Sequence, residues 1–331
     1  MQPSELVAYF CKMIPQKYPD HMFCYFSANA AKGNIKPFVF GLIQALGTIE
    51  DASPEYAFSM IDRMASMPGA GEKQYEALLQ ILCEIYVTAG AVEAADRTGD
   101  GKILFAHEPG QKGKKNPEFE SCANEVWYAV EVKTPELIAY SRQRQSKSYQ
   151  FTARVPVTTD FRDSIETTNP RDNPVKDFLI SANEKLQAYA QFRSDAFRIL
   201  TLVWDDFCQE PIAALLNPLS GLFTDRSFCK AKDGKPTTFP FVDAVEICRC
   251  QHQIIRSTRE ESMIDGELLP FVYHHQGYPP KVLIDNPIGR RIPDILLAPL
   301  NVERLSPVMG AEYHPTDYII WLSGRNSDKQ Q

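Results

Sequence analysis

Apolar residues recur at mixed spacings of three and four over residues 3–14 and 36–48, the pattern of amphipathic helices. A third helix is predicted over 54–67, where Ser53-Pro54-Glu55 supplies an N-cap, a proline and an acid in succession. Pro68-Gly69-Ala70-Gly71 interrupts the pattern. A longer helix then runs from about Glu72 to Ala89 and ends at Gly90. With successive residues about 100° apart, Tyr75, Leu79, Leu82 and Tyr86 share one face of it. Glu76 lies at the edge of that face and Glu84 nearly opposite its centre.

Farther along, the period changes. Ile103-Leu104-Phe105 reads as a short strand between two turn-rich segments, and Val126 to Lys133 as a strand of β-branched and aromatic residues. Pro135 ends that strand, and a helix or loop continues to about Gln150. Residues 150–175 have the character of an insertion, with a Thr/Val-rich strand pair before a proline- and asparagine-rich turn. A helix from Val175 to Arg193 leads into a second strongly apolar strand, Phe197 to Trp204. Later strands are read at Phe241–Cys248, Lys281–Ile284 and Asp294–Leu297, before a polar tail from Ser323. The expected organisation is an N-terminal helical extension (1–70), an α/β core (71–207) and a C-terminal α+β elaboration (208–331) that could pack on the same core.

The strand 126–133 carries two charges in an apolar run. Side chains two apart on a strand share a face, so Glu131 and Lys133 project together while Val130 and Val132 face the other way. An exposed acid–base pair on a solvated face is the bland alternative. The apolar flanks instead suit a strand buried on both faces, where an ionised carboxylate requires a partner or a metal. Thirteen residues upstream of Glu131 lies a second acid, Glu118, with Glu120 a competing position on the same strand face.

Composition narrows the function classes. The chain has 331 residues, 44% hydrophobic and 23% charged, enough to bury a sizeable core. No run approaches the roughly 18 apolar residues of a membrane span, and no secretory leader pattern is present. The net charge of −7 argues against a general nucleic-acid coating protein, which would be strongly basic. It leaves room for a nuclease, because a divalent cation offsets an acidic site and phosphate contacts are local. Lys112, Lys114 and Lys115 precede the acidic strands, and Lys133, Arg142, Arg144 and Lys147 follow them. The eight cysteines fit no zinc spacing and read as free thiols of a cytoplasmic protein. His274-His275 has no acidic partner at a telling spacing, Pro293-Asp294 has no E-x-K after it, and Gly99-Asp100-Gly101-Lys102 is a turn rather than a phosphate loop.

The order helix, strand with Pro117-Glu118, strand with Glu131-Val132-Lys133, helix, apolar strand resembles the PD-(D/E)XK, or restriction-endonuclease-like, nuclease superfamily over about residues 72–205. The second half of the motif is intact, while glutamate replaces the usual aspartate of the first. The resemblance implies a mixed central sheet flanked by helices and cleavage of nucleic acid, most often DNA, with Mg²⁺ or Mn²⁺. Glu118 and Glu131 would bind the metal through oxygen, and Lys133 would position the attacking water and offset charge in the transition state. Family members often carry a glutamate on the preceding helix, a role that falls to Glu76 rather than Glu84. A glutamine on the following helix makes Gln187 a further site residue. Restriction or defence against foreign DNA, and action as a homodimer, are further implications of the resemblance. The alternative is a non-catalytic nucleic-acid-binding or scaffold protein that keeps the fold.

Overall fold

A computed structural model describes residues 3–110, 113, 115–136, 138–147, 149–151, 154, 167–204, 209–261, 271, 281–305 and 320–322. Lys112, Lys114, most of the expected insertion, Cys208, the His274-His275 pair and the tail from Ser323 lie outside the described residues. The chain forms two compact units, one made of Met1–Pro135, Ala182–Asp206 and Phe241–Arg304, the other of Glu136–Ser181, Phe207–Pro240 and Leu305–Gln331. These units cut across the boundaries at 70 and 207. The N-terminal helices and the strands after residue 240 belong with the central sheet, because their apolar faces are buried in one shared core.

In the first unit, α3 (Pro37–Ala52) and α4 (Tyr56–Ala65) pack on α5 (Glu72–Glu93), and α1 (Pro3–Lys17) packs on α3, α4 and α2 (Cys24–Ala31). The start of α4 is fixed from α3. The buried carboxylate of Glu50 accepts the backbone N–H groups of Glu55 (2.6 Å) and Ala57 (3.0 Å), supplying negative charge at the helix N-terminus. By length and composition α5 would suit a membrane span, yet most of it is buried inside the protein. It runs past Gly90 to Glu93, and fourteen of its twenty-two residues are buried.

The sheet has the order β1-β2-β3-β6-β7-β8-β9, from β1 (Phe105–His107), β2 (Phe119–Ala123), β3 (Val126–Lys133), β6 (Phe197–Val203), β7 (Ala244–Cys248), β8 (Lys281–Asp285) and β9 (Glu303–Arg304). The first three strands form an antiparallel meander, β3, β6 and β7 run parallel, and β8 is antiparallel to β7. A mixed seven-stranded sheet flanked by helices makes the protein α/β. The strand expected at 103–105 is shifted to β1, since Ile103 forms only an isolated bridge with Arg97. The strand expected at Asp294–Leu297 is instead a 3₁₀ turn, Asp294–Leu296, running into the short helix Leu297–Leu300. Pro293-Asp294 starts that helix, and so short an apolar run does not by itself separate strand from helix.

In the second unit, α6 (Ile138–Gln145) accompanies a small sheet in the order β10-β4-β5, built from β4 (Tyr149–Phe151), β5 (Thr167–Thr168) and β10 (Ile320–Leu322). Glu210 there accepts from Arg171 Nε at 2.7 Å and from the Tyr140 hydroxyl at 2.9 Å. Helix α7 (Asp172–Ala190) begins in this unit, and its last turns, from Ala182, belong to the first. The seven described cysteines are free thiols.

Candidate functional site

The β2–β3 hairpin sets the site. Its two turn residues, Asn124 and Glu125, have φ of 51° and 64°, the left-handed pair of a two-residue type I′ turn. Asp96 accepts both turn N–H groups, at 3.0 and 2.7 Å. The register pairs Ala123 with Val126 and Phe119 with Val130, so Glu118 and Glu131 come next to each other beyond the last pair. The Glu118 N–H donates to the Val130 carbonyl at 3.0 Å. Because strand side chains alternate, a slip by one residue would send one carboxylate to the opposite face.

Glu131 is fully buried in the centre of the sheet, beside β6. Its Oε1 lies 2.5 Å from Lys133 Nζ and 2.8 Å from Lys185 Nζ. Lys185, on α7, also reaches Glu118 Oε1 at 3.3 Å, so one amine bridges the two carboxylates. Burial pushes the Glu118 carboxyl up to about 7, with the charges of Glu84 and Glu131 adding to the effect and Lys185 and Lys133 opposing it. For Lys185, burial favours the neutral amine, but Glu131 and Glu118 outweigh it and hold its pKa above the ordinary value.

The helical layer supplies the rest. Glu84 of α5 accepts a bidentate pair from Arg63 (2.7 and 2.8 Å) and the Tyr56 hydroxyl (3.0 Å), both from α4. Tyr56 in turn stacks on His107 of β1, with ring centroids 3.5 Å apart and planes 26° apart. Burial lowers the His107 pKa, favouring the neutral ring, although Glu108 and Glu84 oppose this. The ligand atoms of Glu84, His107 and Glu118 all lie within 4.8 Å of one another. Carboxylate oxygens with one neutral imidazole are a donor set suited to Mg²⁺ or, with the nitrogen engaged, Mn²⁺. The crowding that raises the Glu118 pKa is what a divalent cation would relieve. Glu84, His107 and Glu118 are therefore the residues that could hold one, with Glu131 joined to Glu118 through Lys185.

Glu118, Glu131 and Lys133 are brought together as the sequence pattern placed them. Glu76 is not among them. It is buried, but it stands eight residues before Glu84, about 12 Å along the helix axis. The position expected for Glu76 is taken by Glu84. A helical wheel with a single buried face does not describe α5, which is enclosed on most sides; the side opposite Tyr75 and Leu79 meets α4. Glu120 is also elsewhere, accepting from the Tyr189 hydroxyl at 2.5 Å and paired with Arg193 at 2.9 Å. Gln187 does not join the acids. Lys185 is the residue of α7 that reaches them, and Gln187 lines a neighbouring cleft. His107, Lys185, Tyr56 and Arg63 are residues that sequence reasoning missed, and Glu84 is one that it weighed and passed over for Glu76. Only Lys185 carried a signal, standing four residues before Tyr189 and so on the same face of α7 as that buried residue.

Compared with family models, with curated proteins and with solved structures, the chain finds no match.

Proposed function

We propose that the protein is a divalent-metal-dependent nuclease that hydrolyses phosphodiester bonds, with DNA the favoured substrate, and that its core is of the PD-(D/E)XK type. The observation that carries the reading is the gathering of half-buried Glu118 and Lys133 around buried Glu131 at one hairpin, with Lys185 bridging the carboxylates. The order of elements supports it too. Helix α5 precedes the meander β1-β2-β3, then α7 and the parallel strand β6 follow.

Glu118 and Glu131, with Glu84 and His107 nearby, would hold Mg²⁺ or Mn²⁺. Bound there, the metal would polarise the phosphoryl group and make a water more acidic. Lys133, held by Glu131, offers its amine to the attacking water and to negative charge that develops on the phosphoryl oxygens. Lys185 keeps positive charge between the two carboxylates, where an incoming phosphate would otherwise be repelled. Arg63 and Tyr56 fix the carboxylate of Glu84, so the acid is oriented before any ligand arrives.

The test is incubation of plasmid, linear duplex, single-stranded DNA and RNA with the protein and Mg²⁺ or Mn²⁺, beside Lys133→Ala and Glu131→Ala. Cleavage should require metal and fall by about a hundredfold or more in either variant, with far-UV circular dichroism unchanged. Cleavage that survives both substitutions defeats the site assignment. No cleavage of any substrate would favour the scaffold reading instead.

A further inference from the structure

A cleft of about 550 Å³ opens beside the acidic site, between the segment that precedes β2 and the outer side of α7. Its helix wall is a stripe. Glu184, Gln187 and Ala188 share one helix face, continued by Gln191 just past the helix end, while Lys185 and Tyr189 lie on the face turned to the sheet. Phe192, more than half exposed, closes the end of the stripe, and Lys115 and Asn116 form the opposite wall.

The chemistry of these walls is unlike that of a backbone-binding groove. Tracking phosphates calls for a positively charged channel. Among the described lining residues the cation, Lys115, is ion-paired with Glu184 across the cleft. What remains among the described lining residues is mainly carboxamide and aromatic. Gln187, Gln191 and Asn116 each present both a donor and an acceptor, which matches the edge of a nucleobase, and an exposed phenyl ring offers a stacking surface that accepts any base. The volume lies within the range of about 300–1,000 Å³ usual for small-ligand sites. Its place fits as well. Asn116 stands two residues, at most about 7 Å of chain, from Glu118, and Glu184 is next to Lys185 on α7.

Resting on the nuclease reading, we infer that this cleft seats an unpaired nucleobase of the strand being cut, stacked on Phe192 and met by the carboxamides of Gln187, Gln191 and Asn116. A base stacked inside a duplex cannot enter such a cleft, so the substrate class is single-stranded nucleic acid or a strand with an extruded base. Gly110 marks the fit of the other wall. A Cβ added there would lie 1.9 Å from Asn116 Oδ1, so a side chain at 110 displaces that carboxamide.

The test uses the full chain in EDTA and fluorescence anisotropy. The probes are a fluorescein-labelled single-stranded oligodeoxynucleotide and versions with an abasic site at each position in turn. One abasic position should weaken binding to the wild type by about tenfold, the effect of one lost base stack. Phe192→Ala should weaken binding of the intact probe to the same extent and leave binding of that abasic probe unchanged. Gln187→Ala and Gly110→Val should alter the preference among bases placed at that position. Equal binding of intact and abasic probes, or a Phe192→Ala loss of the same size on both, overturns the inference. Cleavage that depends on Lys133 together with base-independent binding defeats the cleft and leaves the nuclease reading standing. Base-dependent binding without cleavage upholds the cleft and defeats the nuclease reading.

Discussion

Replacing Glu118 with glutamine should make the metal-free protein more stable in alkaline solution. The carboxyl stands in a crowded place, largely out of water, with Glu84 and Glu131 close by, and its pKa rises from the ordinary 4.5 to about 7. A raised carboxylate pKa means the folded state holds its proton longer than the unfolded state. Stability is therefore greatest below about pH 4.5 and falls as pH rises toward 7. At about 1.36 kcal/mol per pH unit, the displacement from 4.5 to about 7 amounts to about 3 kcal/mol. Glutamine has nearly the same shape and never ionises. In EDTA, Glu118→Gln should match the wild type near pH 4.5 and exceed it by up to about 3 kcal/mol near pH 8, read by urea unfolding with linear extrapolation. Saturating Mg²⁺ should restore the wild type at high pH, because a bound cation stabilises the ionised form, and should do little for the variant. Equal effects at both pH values, or a less stable variant near pH 8, would refute the reasoning.

Other outcomes follow from the same geometry. Glu84→Gln should lower metal-dependent cleavage at least about tenfold, whereas Glu76→Gln should leave the rate near that of the wild type in the same plasmid assay. Lys185→Ala should destabilise the protein in EDTA, since Glu131 keeps only Lys133, and the deficit should shrink in Mg²⁺; an unchanged deficit would count against a cation between the two carboxylates. Asp243 is buried, and although burial alone favours its neutral form, Arg198 and Arg290 hold its pKa below the ordinary value. That stability is present at neutral pH and lost in acid, so Asp243→Asn should cost about 3–5 kcal/mol near pH 7 and progressively less as pH falls. Trp204→Ala, at a fully buried position, should cost about 3–5 kcal/mol by urea unfolding.

The legible part of the sequence was the part where periodicity and burial agree. Strand β3 is readable to the residue, because five of its eight positions are β-branched or aromatic and favour a strand. Its alternation also puts Glu131 and Lys133 on one face. The helix α5 is legible as a helix, but not in its orientation. A wheel sorts faces only when one of them meets water, and this helix is covered by α3 and α4 on one side and by the sheet on the other. That is why the wheel favours Glu76 and passes over Glu84. The eight-residue helices Cys24–Ala31, Gln209–Leu216 and Gln251–Thr258 escape the pattern because barely two turns carry too little of it to register. His107 and Arg63 could not be found at all from spacing. They meet Glu84 and Tyr56 through strand pairing and helix packing, and neither contact leaves a local signature.

The contact of Tyr56 and Arg63 with Glu84 has a consequence for the way the protein matures. These residues leave the ribosome before Glu118 and Glu131 do, and α4 is itself anchored by Glu50 of α3. The helical layer can thus tie down Glu84 while the hairpin has yet to be made. On the proposed reading, a cation would find its ligands complete only when the last partners, β3 and α7, have closed on the layer that was waiting. If the protein is the nuclease proposed above, hydrolytic competence would switch on at the end of folding and not before, and no half-built chain would be able to cut.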